Sequence, residues 1–154
     1  MIIYLAGGLF NAGERLHNLF LEKYLQELGH MVILPQRRAG SFWDGHQFDI
    51  KKLAADCAAC SADRKAIYVG NVDGADADSG TAVEYGIAIA QKGEAVIYRT
   101  DFRTAADREL GVNGMFRLSG TEFVYHPCFF TELDEVENYY RALAAAINEA
   151  IKTF

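Results

Sequence analysis

A chain of 154 residues with a net charge of −6 and a pI near 5.2 is long enough for one domain and too acidic for a partner held through nucleic-acid phosphates. Its basic pairs, such as Arg37-Arg38 and Arg64-Lys65, stand isolated. No apolar run approaches the roughly 18 residues of a membrane span, and the first residues lack the basic start and long apolar stretch of a secretion signal. The expectation is a cytoplasmic protein, a single domain over 1–154, with neither a membrane nor a nucleic acid as partner. A domain of this size buries about 68–70% of its unfolded surface, enough for a substantial core.

In chain order, strands and helices alternate. Residues 1–6 read as a first strand, and 14–28 as an amphipathic helix with Leu16, Leu19, Phe20, Tyr24 and Leu28 near helical spacing, stopped by Gly29. Residues 30–34 form a second strand ended by Pro35. A polar and aromatic connection through Trp43 leads to a helix over 47–61, and 66–70 is a short, apolar, buried strand. A helix follows from Gly80, then strands at 95–98 and 122–126, and a closing helix over 133–152. This order predicts a flavodoxin-like, three-layer α/β fold with a five-stranded parallel sheet and right-handed crossovers.

Between the third strand and its helix, residues 71–86 gather four carboxylates and three glycines. Ligands of open α/β sheets bind at such strand-to-helix edges. Asp73 and Glu84 have the end-to-end spacing of a calcium loop, but Ala75 and Ala77 occupy ligand positions and Asp78 stands where the loop needs glycine. Thr81-Ala82-Val83-Glu84 fits a capping box, in which Thr81 and Glu84 would satisfy the first amides of the helix.

Other motifs carry less. Gly7-Gly8 after the first strand is followed by Gly13, so the dinucleotide fingerprint is absent and no nicotinamide or flavin cofactor is expected. Cys57-Ala58-Ala59-Cys60 has redox-motif spacing without the flanking strand, and Cys128 with four scattered histidines offers no second ligand pair for zinc. Three cysteines, an odd number, suit a reducing compartment. No metal is expected.

Asp78-Ser79-Gly80-Thr81-Ala82-Val83-Glu84-Tyr85-Gly86-Ile87-Ala88 resembles the D-x-G-x-x-x-E-x-G-x-A signature of nucleoside 2-deoxyribosyltransferases. Residues 3–10 are similar to that family's first strand and base-binding loop, and Asp101-Phe102-Arg103 with Val112-Asn113-Gly114-Met115 to its later loop. The resemblance extends from residue 2 to about residue 136. It implies Glu84 as nucleophile, Asp78 facing the 5′ end of the sugar, and Asp56 on the preceding helix as the aspartate that contacts the base, with Asp63 as its possible substitute. It also implies Tyr4 beside the sugar, and Ala6, Gly7, Phe10 and Gly80 around the substrate. Trp43, an aromatic on a connecting loop, would line the base pocket. Asn113 would reach a neighbouring subunit's site, so a homo-oligomer with shared active sites is expected, acting on small nucleosides and nucleobases.

The chemistry follows from the residue types. A carboxylate below the anomeric carbon captures an oxocarbenium-like cation as a glycosyl ester, and a second base then releases it with retained configuration. The departing base needs a proton or a strong hydrogen bond, which a carboxyl group close to other carboxylates can supply, and Asp56 and Asp78 are the catalytic candidates for it. No cofactor is needed. Two other readings use the same pocket: hydrolysis of nucleoside 5′-monophosphates, for which Ser79 speaks and Asp78 speaks against, and noncatalytic nucleoside sensing with Glu84 only a cap. The ordinary alternatives for single residues are a solvated helix cap for Asp56 and Asp63, core packing for Tyr4, sheet-edge cover for Phe10, a subunit contact for Trp43 and a turn for Asn113.

Overall fold

The computed structural model describes residues 1–40, 45–47, 49–103 and 111–154. Strands β1 (Ile2–Ala6), β2 (Met31–Ile33), β3 (Ala66–Asn71), β4 (Ala95–Arg99) and β5 (Thr121–Tyr125) pair in parallel in the order β2-β1-β3-β4-β5. That is the expected five-stranded, flavodoxin-like sheet. Its order reverses between β1 and β3, and such a switch point opens a crevice at the carboxyl ends of the strands. The register there sets Tyr4 beside Tyr68 and Ala6 beside Gly70.

The two-residue alternation of the strands divides the core between two faces. Ile3, Leu5, Val69, Val96 and Tyr98 pack with Leu21 and Leu25 of α1 (Ala12–Glu27) and Leu143 and Ile147 of the closing helix (Val136–Ile151). Tyr4, Ala6, Tyr68 and Ile97 pack with Tyr85 and Ala88 of the helix after β3 (Ser79–Lys92), and Cys60 of the helix before it (Ile50–Ala62) joins them. The result is three layers.

Local chemistry explains the boundaries. α1 begins earlier than its apolar stripe because Asn11 and Glu14 close a reciprocal capping box, with Glu14 N–H donating to Asn11 Oδ1 at 3.0 Å. Pro35, read in the sequence as the end of a strand, also opens a helix: α2 (Pro35–Ala39) has proline in its first turn, where a missing N–H costs nothing. The next helix, α3 (Ile50–Ala62), starts later than the expected 47, since Asp49 caps it by accepting from Lys52 N–H at 3.1 Å. Ser79–Lys92 is α4, and a 3-10 turn at Leu133–Glu135 precedes α5, Val136–Ile151.

Gly120 carries a strong expectation. Its φ is +84°, and a Cβ built there would lie 1.7 Å from the Gly93 carbonyl oxygen, beside the left-handed residue that ends α4. Gly120→Ala combines left-handed strain with overpacking against backbone, so we expect a loss of about 2–4 kcal/mol in urea unfolding. A variant as stable as the parent would show that this turn relaxes freely.

Candidate active site

β3 delivers its carboxyl end to the switch point, and the chain then turns through residues 72–77 into α4. Asp78 is the cap of that helix: its Oδ2 accepts from Thr81 N–H at 2.9 Å and from the Thr81 hydroxyl at 3.2 Å. This corrects the Thr81/Glu84 capping box. The helix starts at Ser79, so Glu84 lies inside its second turn, past the amides that need capping.

Glu84 is instead held from the sheet. The Tyr4 hydroxyl, rising from buried β1, donates to Glu84 Oε1 at 3.0 Å. Tyr4 leans on Tyr68 with ring centroids 6.2 Å apart, and the Tyr68 hydroxyl donates to the Thr81 carbonyl in the first turn of α4 at 2.9 Å. Gly70 makes room for this, since a Cβ there would come within 2.6 Å of the Tyr68 ring. From α3, the half-buried Cys57 is close enough to Glu84 to feel its charge. Burial raises the Glu84 pKa above the ordinary glutamate value; the hydrogen bond from Tyr4 pulls it back, and the Asp78 charge adds to the rise. Burial, then the Glu84 charge, likewise drives the Tyr4 hydroxyl far up, so Tyr4 acts as a donor.

The remaining expected residues divide. Asp78 joins Glu84 electrostatically, and Gly80 is exposed in the first turn of the helix. Ala6 is fully buried beneath the crevice, so only its backbone can face a ligand, whereas Gly7 follows at the rim, where a Cβ would crowd Asn71 at 3.2 Å. Asp56, one residue before Cys57, is turned towards α2, where Arg38 Nη2 reaches its Oδ1 at 2.5 Å. Asp63 ends α3, exposed, and accepts from Lys65 N–H at 2.9 Å. Phe10 is 78% exposed on the loop after β1, so it does not serve as cover for the sheet edge. Asn113 caps a short 3-10 turn, Gly114–Arg117, accepting from Met115 N–H at 3.0 Å. Trp43 lies outside the described residues.

Sequence reasoning missed two groups. Asp73, one of the clustered carboxylates, accepts from Thr100 N–H at 2.6 Å, Asp101 N–H at 2.8 Å, the Thr100 hydroxyl at 2.5 Å and Asn71 Nδ2 at 3.0 Å. It ties the loop after β3 to the loop after β4. Arg99, 2% exposed, reinforces that tie by donating to the carbonyls of Val72, Gly74 and Arg103 at 2.7, 3.1 and 3.0 Å. The Arg103 guanidinium beside Asp101 holds that carboxyl well below the usual range.

A cleft of about 680 Å³ opens on the α1 side of these loops, lined by Gly8, His17, Asn71, Asp73, Asp78 and Arg103 among others. Tyr4 and Glu84 are not on its walls, because both belong to the α4 layer; Asp78 borders the cleft and faces Glu84. His17 bridges the hydroxyls of Tyr140 at 2.9 Å and Tyr98 at 3.0 Å, and burial lowers its pKa despite the Asp73 charge. Among the described residues no group of three or more His, Cys, Asp or Glu side chains is arranged to hold a metal ion, and no helix is long and apolar enough to cross a membrane.

A half-buried carboxylate held by a tyrosine hydroxyl, at the switch point and in the second turn of a helix, can form an ester with an electrophilic carbon. Comparison with known proteins points to a family. The family model described as nucleoside 2-deoxyribosyltransferase matches residues 3–115. No curated protein matches the chain significantly in sequence. Among solved structures, a conserved protein from Enterococcus faecalis V583 superposes with a TM-score of 0.63 at 24% identity, covering 93% of this chain and 98% of its own. A 2-deoxyribosyltransferase from Bacillus psychrosaccharolyticus gives 0.57 at 22% identity, with 94% and 96% covered. The CMP N-glycosidase of Clostridium botulinum gives 0.53 at 18%, with 94% and 98% covered. At these identities the likeness speaks for the fold.

Proposed function

Because the chain belongs to the nucleoside 2-deoxyribosyltransferase family, whose members act on small nucleosides, we propose that it exchanges the base of a 2-deoxynucleoside through a covalent ester on Glu84. The observation that carries this reading is the Tyr4–Glu84 bond: Glu84 caps nothing, is drawn to the sheet edge and is kept largely from water. In the first half-reaction a carboxylate oxygen bonds to C1′ as the bond from C1′ to the base nitrogen breaks. The bonding pair leaves on the base, which takes a proton from Asp56 or Asp78 as it departs. In the second, a nitrogen of the incoming base attacks C1′, the ester bond returns its electrons to Glu84, and the incoming base gives its proton back to that same carboxylate. Two inversions give net retention. Tyr4 stabilises the carboxylate as it leaves the sugar.

Asp78 is assigned to the 5′ end of the sugar, accepting from its hydroxyl, and Asp56, oriented by Arg38, to the base. Asn113 and a second copy of the chain complete the reading, as a homo-oligomer with shared sites. The test is an exchange assay with deoxyinosine or thymidine as donor and adenine as acceptor, combined with a slow 2-fluoro donor to trap the adduct. Exchange with a deoxyribosyl adduct on Glu84 is the expected result. Hydrolysis without exchange would make the protein a glycosidase, and tight binding without turnover would make it a sensor.

The charge of Asp78 predicts which donor is used. A phosphate near that carboxylate would meet a like charge, and at about 4 Å each pair of unit charges costs on the order of 4 kcal/mol at an effective dielectric of 20. The protein should therefore prefer deoxyinosine over its 5′-monophosphate in kcat/KM. Asp78→Asn keeps a good helix cap while removing the charge, so it should weaken nucleoside use and narrow that preference. A parent enzyme that favours the monophosphate would reverse the assignment.

A further inference from the structure

The cleft of about 680 Å³ on the α1 side has the size of a small-molecule pocket, yet neither Tyr4 nor Glu84 lines it. Asp78 stands where it meets the crevice that holds Glu84. We propose that this cleft is a subsite for the 5′ substituent of the donor and takes 2-deoxynucleosides that carry an ammonium group there; the proposal rests on the reading of Glu84 at C1′ and Asp78 at the 5′ end of the sugar. A sugar spanning those two carboxylates directs whatever is attached at C5′ past Asp78 and into the cleft. A hydroxyl reaches only Asp78, whereas a longer substituent enters the space beyond.

The walls choose the charge. Glu14 accepts from the backbone N–H groups of Phe10 at 2.7 Å and Asn11 at 3.3 Å, Asp78 from the amide and hydroxyl of Thr81, and Asp73 from two amides, a hydroxyl and the Asn71 side chain. All of these donors are neutral, so the carboxylates are hydrogen-bonded while their negative charge stands uncompensated. Asp76 adds another, and the nearby cations, Arg103 on the wall and Arg99 beneath it, both pair with Asp101. His17 brings no charge to offset this, since burial lowers its pKa and its ring bridges two tyrosine hydroxyls. Asn18, 4% exposed on the same wall, asks for a donor independently of charge. Its Nδ2 gives both hydrogens inward, to the Gly8 carbonyl at 2.9 Å and Gln36 Oε1 at 3.0 Å, so that Oδ1 opens on the cleft with no donor among the described residues. Gly8 shapes the wall, because a Cβ there would come within 2.6 Å of the Glu14 carboxyl carbon. An acceptor-rich, negative wall matches a primary ammonium, which offers three donors and a positive charge.

Titration calorimetry on the full-length protein carrying Glu84→Gln, which leaves the glycosidic bond of the probes intact, tests this without turnover. The probes are 2′-deoxyadenosine and thymidine, their 5′-amino-5′-deoxy analogues, and the 5′-acetamido analogues as neutral controls of greater bulk. The amino compounds should bind roughly fivefold to twentyfold more tightly than the parent nucleosides and the acetamido controls at low salt, with the gap narrowing as salt is raised. Adding Glu14→Gln removes one wall charge while keeping the capping box, so it should cut that gap by roughly twofold to fourfold. That pattern supports the subsite even if base exchange is never observed and Glu84 proves not to be a nucleophile. Amino analogues that bind no better than the parent nucleosides, or a gain untouched by salt and by Glu14→Gln, overturn the subsite and leave the exchange reading standing. Failure of every nucleoside to bind, together with absence of exchange in the parent protein, overturns both.

Discussion

Glu84→Gln is expected to abolish base exchange while making the folded protein more stable at neutral pH. Removing the nucleophile closes the covalent route, a loss on the order of 10⁴-fold to 10⁶-fold in kcat. The substituted amide keeps the shape and an oxygen that accepts from Tyr4. The stability gain follows from burial, which raises the folded pKa of Glu84 above that of the unfolded chain. Between those two values the folded state binds the extra proton, so stability falls as pH rises through the window. Above it the fold carries the full cost of a buried charge, and the amide removes that cost. The melting temperature of Glu84→Gln should therefore exceed the parent's at pH 7–8, with the difference shrinking as pH falls to the unfolded glutamate range. Near-parental exchange, or a variant less stable at neutral pH, would contradict this account.

Asp73→Ala is expected to be the most damaging single change in the loops above the sheet. It strips the acceptor from two backbone amides, Thr100 and Asp101, and from the Thr100 hydroxyl and Asn71 amide, all partly buried. Hydrogen bonds to a charged acceptor contribute about 1.5–3 kcal/mol each but are not additive in one cluster, so the expected loss is about 3–5 kcal/mol in urea unfolding. Asp73→Asn, retaining one acceptor oxygen, should lose less. Exchange activity should drop as well, because the same loop leads into Asp78 and α4. Stability within about 1 kcal/mol of the parent would mean that the loops are held elsewhere.

The strands and the longer helices are legible because each shows its period and its punctuation. The 66–70 run is apolar and short, Gly29 and Gly93 stop helices, and Asn113-Gly114 marks a turn. What stays hidden in the sequence are roles fixed by distant partners. Pro35 reads equally as the end of β2 and the start of α2, and only the backbone after it decides. Thr81-x-x-Glu84 satisfies a local capping rule, yet Asp78 sits three residues ahead of Thr81 and takes the cap, freeing Glu84 for a tyrosine 80 positions away. Asp56 reads as a free base contact in the sequence, yet Arg38, 18 positions away on another helix, takes its carboxylate. Asp73 looks like its neighbours Asp76 and Asp78 because its donors lie on another strand's loop and on Asn71.

Arg99 couples the two loops above β3 and β4 in a way that bears on how this protein can change. Its guanidinium spans carbonyls from both, so opening either loop alone would strand a buried cation among unmet acceptors. The two segments are one mechanical unit, and mutation of either is constrained by the other. Room for altered substrate range is greatest away from this brace, as on the loop after β1, where Phe10 projects into solvent and its backbone N–H donates to Glu14. Directed evolution starting there would sample new specificities while the braced rim preserves the architecture beneath them.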